Sequence, residues 1–215
     1  MSTIPDNLTG TTAFDLAFAP ARMEEFAPRT KRWNRDEYFR LAELGLIPEK
    51  HVELIDGVIY EVSPHSFDHY WSIEVVARLL ERIFGETYWV RRQGPCVHGE
   101  WSEPEPDITV VKGSLEEFSE HPTTAVLAVE VSKTSLSFDR GRKANLYAIM
   151  GIPDYWVLDL EHRQLLVLRQ PVADASVPFG HRYSQVESVP AEGFVSPLEK
   201  PAARIAVAQM LPPVK

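Results

Sequence analysis

The segment Ala125-Val126-Leu127-Ala128-Val129-Glu130-Val131-Ser132 is almost wholly apolar and rich in β-branched residues, with one acid set inside it. Such a run reads as a strand buried on both faces, which commits the chain to a sheet covered by other layers on each side. An unpaired carboxylate there would cost several kcal/mol or give up its charge, so Glu130 requires a partner. Side chains alternate along a strand: Val126, Ala128, Glu130 and Ser132 share one face, and Leu127, Val129 and Val131 share the other. Small Ala128 leaves room beside Glu130 for an ion or a ligand.

A second acid, Asp107, heads another strand-like run, Asp107-Ile108-Thr109-Val110-Val111. Two acids on neighbouring buried strands suggest a metal site. The competing account is a buried ion pair between Glu130 and Arg140, Arg142 or Lys143. Lys133 falls on the strand face opposite Glu130 and is poorly placed to serve it. Lys143 lies near the start of the next helix, is not bound by strand parity, and can point back across the strand end.

Around this strand the chain alternates helical and extended patterns. Asn34 followed by Glu37 resembles a capping box, with Tyr38, Leu41 and Ala42 at helical spacing, and predicts a helix over 35–44 ended by Gly45. Val52-Glu53-Leu54-Ile55, Asp56-Gly57 and Val58-Ile59-Tyr60-Glu61-Val62 predict a hairpin, because Asp-Gly between extended runs is a strong turn signal. Ile73, Val76, Ala77, Leu80 and Phe84 predict an amphipathic helix over 67–84 that stops at Gly85. Strands follow at 87–92, 107–111 and 125–132, then a helix over 139–150, then strands at 155–160, 164–169 and 182–189. This order implies one α/β (α+β) domain over 31–215 with a mixed, largely antiparallel central sheet flanked by helices, preceded by an extension over 1–30.

Charge narrows the function classes. The chain has 215 residues, a net charge of -9 and a pI near 5.3, which argues against a surface coated in positive potential for non-specific nucleic-acid binding. A local site remains open, because Lys133, Arg140, Arg142 and Lys143 cluster immediately after Glu130 with only Asp139 among them. No apolar stretch approaches the ~20 residues of a membrane-spanning helix. Met1 to Thr12 holds no Lys or Arg and no continuous apolar segment, so no secretory signal is expected, and a single cysteine, Cys96, permits no intramolecular disulfide. A cytoplasmic protein is the expectation.

Pro106-Asp107, Glu130-Val131-Ser132, Asp139, Lys143, Tyr147-Ala148 and Gly151-Ile152-Pro153-Asp154-Tyr155-Trp156 occur in an order that resembles a family of restriction endonuclease-like bacterial proteins within the PD-(D/E)XK nuclease superfamily. The similarity runs from about Trp33 to Met210 and includes Val52-Glu53-Leu54-Ile55-Asp56-Gly57 and His69. It implies a restriction endonuclease-like core in which Asp107 and Glu130 hold Mg2+, with Mn2+ as a substitute, and a lysine helps orient the attacking water. Hard oxygen ligands suit that ion. The superfamily usually places its lysine two residues after the glutamate, where this chain has Ser132. Lys143 matches a lysine relocated to the following helix. The resemblance further implies DNA as substrate, with Lys133, Arg140 and Arg142 as contacts for its phosphates, and a homodimer, because superfamily members often pair to cut both strands.

Blander readings stand beside these. Glu53 could be a third acid near the metal or a solvent-facing hairpin residue, and His69 could assist a phosphate or only hydrogen-bond locally. His65 and His69 stand at helical spacing, but no cysteine or third histidine completes a zinc set. Tyr155 and Trp156 read as core packing in preference to base stacking. The leading expectation is a Mg-dependent endonuclease. The alternatives are a catalytically degenerate member that binds nucleic acid or a protein, and a metal-dependent hydrolase of another phosphoester.

Overall fold

The computed structural model describes residues 29–48, 52–62 and 66–214. Arg32–Lys215 form one compact unit. The expected extension over 1–30 falls almost entirely outside the described residues, as does His65.

Helix α1 (Arg35–Glu43) starts where the capping box sets it: the Asn34 side chain accepts from the Glu37 amide, and the Glu37 carboxylate accepts from the Asn34 amide. The hairpin β1 (Val52–Ile55) and β2 (Val58–Glu61) pairs Ile55 with Val58. Its turn residues Asp56 and Gly57 both have positive φ, 54° and 73°, which matches the twist of the flanking strands. Helix α2 (Phe67–Phe84) is capped by Ser66 and ends at Gly85, as its apolar periodicity predicts.

Six strands follow: β3 (Tyr88–Arg92), β4 (Ile108–Lys112), β5 (Leu127–Ser132), β6 (Asp154–Asp159), β7 (Gln164–Ala173) and β8 (His181–Pro190). They form one sheet in sequence order, antiparallel throughout except for the parallel pair β5 and β6. The parallel pair needs a crossover. It is supplied by α3 (Leu136–Phe138), a π-helical turn (Asp139–Lys143) and α4 (Ala144–Ile149). The helix expected over 139–150 therefore begins three residues early and carries a widened turn. Ser135 donates to Asp139 Oδ2 at 2.5 Å, which ties the first turn to the wide one.

Alternation along β5 divides the core as expected. Leu127, Val129 and Val131 pack with α2 residues such as Val76 and Leu80, while Ala128 packs with α4 residues and with Ile55 of the hairpin. Tyr155 and Trp156 are fully buried on opposite faces of β6. A short ribbon, β9 (Phe194–Val195) with β10 (Ile205–Ala206), closes the α2 side of the core. Among the described residues, no helix is long and apolar enough to cross a membrane.

Candidate functional site

The site lies where β5 ends. Pairing of Ile108 with Val129 aligns β4 against β5, and extending that register by one residue sets Asp107 opposite Glu130 on the face shared with Ala128. Directly opposed residues of an antiparallel pair have Cβ atoms about 4.5–5.5 Å apart, within reach of a shared ion. Asp107 Oδ2 accepts from the Val131 amide at 2.8 Å and lies 3.3 Å from His69 Nε2, so the first turn of α2 reaches the same acid.

Lys143 Nζ donates to Glu130 Oε1 at 2.9 Å and to Glu53 Oε1 at 3.0 Å. Tyr147, one turn further along the helix, donates its hydroxyl to the same Glu130 oxygen at 2.7 Å. Glu53, Asp107, Glu130 and Lys143 are only 4–6 % exposed. The other oxygen of Glu53, Oε2, is buried without a hydrogen-bond partner. Asp139 is buried beside them, held by Ser135, whose hydroxyl lies 3.3 Å from that of Ser132.

Electrostatics follow from this crowding. Burial pushes the Glu130 carboxyl well above the ordinary range; the Lys143 charge opposes the shift, and Asp107, Asp139 and Glu53 reinforce it. Burial likewise raises Glu53 and Asp139, again against the pull of Lys143. For Lys143, burial alone would favour the neutral amine, but the four surrounding acids outweigh it and hold the ammonium charged well beyond its usual range. One cation thus serves four acids.

Among the described residues, no group of three His, Cys, Asp or Glu side chains converges in a metal-ligating arrangement. The opposed pair Asp107 and Glu130 is the donor set that could hold an ion. Two carboxylates and hard oxygen chemistry fit a magnesium-type ion, which keeps several waters of its own.

The sequence profile of the family described as "Putative restriction endonuclease", named Uma2, matches residues 35–199. The chain belongs to the Uma2 family. A solved structure described as a putative nuclease belonging to DUF820, from Anabaena variabilis ATCC 29413, shares the fold with a TM-score of 0.61 at 14% identity, covering 85% of this chain and 97% of that one. No curated protein matches the chain.

Within this Uma2 fold, the structure brings together Asp107, Glu130, Lys143, Glu53 and His69 and separates the rest of the basic cluster from them. Arg142 is turned to the hairpin, where it bonds Asp56 Oδ2 at 3.0 Å and lies over the rings of Tyr60 and Phe179. Lys133 stands outside near Asp68 Oδ2, at 3.7 Å, and Arg140 is exposed. The bland reading of Glu53 fails: it does not face solvent, because the hairpin strand is buried along its whole length, and Lys143 is buried beside it. The rival ion-pair account of Glu130 is correct to the extent that Lys143 does bond it. Sequence reasoning missed Tyr147 and Asp139 as neighbours of the acids. Their offsets of four residues on either side of Lys143 were the available signal.

Proposed function

We propose that this Uma2 protein is an endonuclease that hydrolyses DNA phosphodiester bonds with Mg2+, or Mn2+ in its place, held by Asp107 and Glu130. What carries this reading is the convergence of four buried acids around one lysine, with Asp107 at the head of β4 facing Glu130 on β5. When bound, such an ion supplies an acidified water and neutralises charge on the phosphate. Asp107 and Glu130 bind and orient it. Lys143 keeps Glu53 and Glu130 in place and retains a third N–H that can be directed at an incoming phosphate oxygen. His69, 3.3 Å from Asp107 Oδ2, steadies that acid.

Ser132 occupies the position of the usual superfamily lysine, and in this chain it joins the Ser135 and Asp139 network. The ammonium that serves Glu130 comes instead from the crossover helix. The test is direct. Supercoiled plasmid incubated with purified protein and Mg2+ should be nicked, a chelator should abolish the nicking, and Glu130→Ala should remove it. Metal-dependent cleavage that survives in Glu130→Ala would exclude Glu130 as an ion ligand.

A further inference from the structure

We infer that Tyr147 is a positioning residue that, together with Lys143, confines Glu130 to binding an ion through one oxygen and thereby biases the site toward small octahedral ions over Ca2+. The inference rests on the ion-binding role given above to Glu130 and Asp107. Glu130 Oε1 accepts from Lys143 at 2.9 Å and from Tyr147 at 2.7 Å, and a carboxylate oxygen has two lone pairs. Both are engaged, so Oε2 is the oxygen left for an ion.

Asp107 is likewise held at one oxygen. Its Oδ2 accepts from the Val131 amide at 2.8 Å and faces His69 at 3.3 Å, which leaves Oδ1. Each acid therefore presents a single oxygen. Ca2+ takes six to eight oxygens and often uses carboxylates in bidentate fashion, whereas Mg2+ needs short, near-octahedral contacts and fills the remainder with water. Two single oxygens suit the smaller ion.

Tyr147 can hold this geometry because it is buried and braced. It is fully buried, and its ring lies edge-on to Tyr155 at 5.0 Å. The Tyr155 hydroxyl in turn bonds the Asp139 carbonyl at 2.9 Å, at the start of the π-helical turn. The phenol is thus braced against the same turn that delivers Lys143. Tyr147→Phe keeps the ring and its packing, leaves Lys143 on Oε1, and frees one lone pair of Glu130.

Calorimetric titration of the full chain with Mg2+, Mn2+ and Ca2+, without nucleic acid, reads the effect. The expected result is a loss on the order of tenfold in Mg2+ and Mn2+ affinity in Tyr147→Phe, the scale typical of outer hydrogen-bond partners, with Ca2+ affinity held or improved. Should Tyr147→Phe fail to fold, a fluorinated tyrosine at 147 is the second probe. Its more acidic hydroxyl grips Oε1 harder and should raise the Mg2+ to Ca2+ affinity ratio. An equal loss for all three ions, or an unchanged ratio, overturns the role of Tyr147 and leaves the ion site standing. A wild-type chain that binds none of the three overturns the ion site itself and this inference with it.

Discussion

Lys143 is the residue on which the acids depend. Its ammonium is the only cation bonded to Glu53 and Glu130 among the described residues, and it holds them at 3.0 and 2.9 Å. Removing one partner of a buried ion pair leaves the other uncompensated, so Lys143→Met should lose about 3–5 kcal/mol of unfolding free energy in urea titration. If Asp107 and Glu130 bind Mg2+, the added ion should recover more stability in Lys143→Met than it adds to wild type, because the variant has more negative charge to relieve. A variant as stable as wild type would remove Lys143 as the counter-charge. Tyr147 stands differently: burial and the Glu130 charge push its phenol well above the ordinary range, so it stays a neutral donor.

At the scale of elements, the π-helical turn explains how a helix residue comes to serve a strand. The Ala144 amide reaches back to the Asp139 carbonyl, five residues earlier, and the widened turn buries both Asp139 and Lys143. Such turns recur at functional sites. The β6–β7 turn offers a second titration. Burial alone would raise the Asp159 carboxyl, but hydrogen bonds from Gln164, the His162 amide and the His162 ring outweigh it and hold the group below its ordinary value of 3.8. A depressed carboxylate contributes stability that is complete above its unfolded value and lost as pH falls through the folded one. Wild type should therefore exceed Asp159→Asn in urea midpoint near neutral pH, and the two should converge as the pH falls through and below the ordinary carboxylate range. A difference that persists in acid would mean that the turn is held by packing instead of charge.

For the whole molecule, Cys96 reports on how tightly the layers close. It is fully buried, and burial pushes its thiol up to about 11 against the pull of Arg91. A thiol reagent at about pH 8 should leave the native protein unlabelled and modify one cysteine after unfolding. Rapid labelling without denaturant would show that the segment between β3 and β4 opens. The same layers explain which features were legible beforehand. The hairpin turn at Asp56-Gly57, the bounds of α2 and the two faces of β5 follow from local backbone preference and short-range periodicity, and these belong to the sequence itself. Asp107 and Glu130 could be singled out because a charge in an apolar strand is anomalous wherever that strand packs. The side to which Glu53 turns could not be read, because all four residues of β1 are buried and alternation cannot choose between two covered faces. Nor could the burial of Lys143 or the grip of Tyr147 on Glu130, which require a widened helical turn laid across the end of β5. By itself the sequence determined most of the elements and the misplaced acid. Only the tertiary structure decided what surrounds that acid, because those contacts join residues 13 to 90 positions apart, and the angle of a crossover helix depends on every layer it packs against.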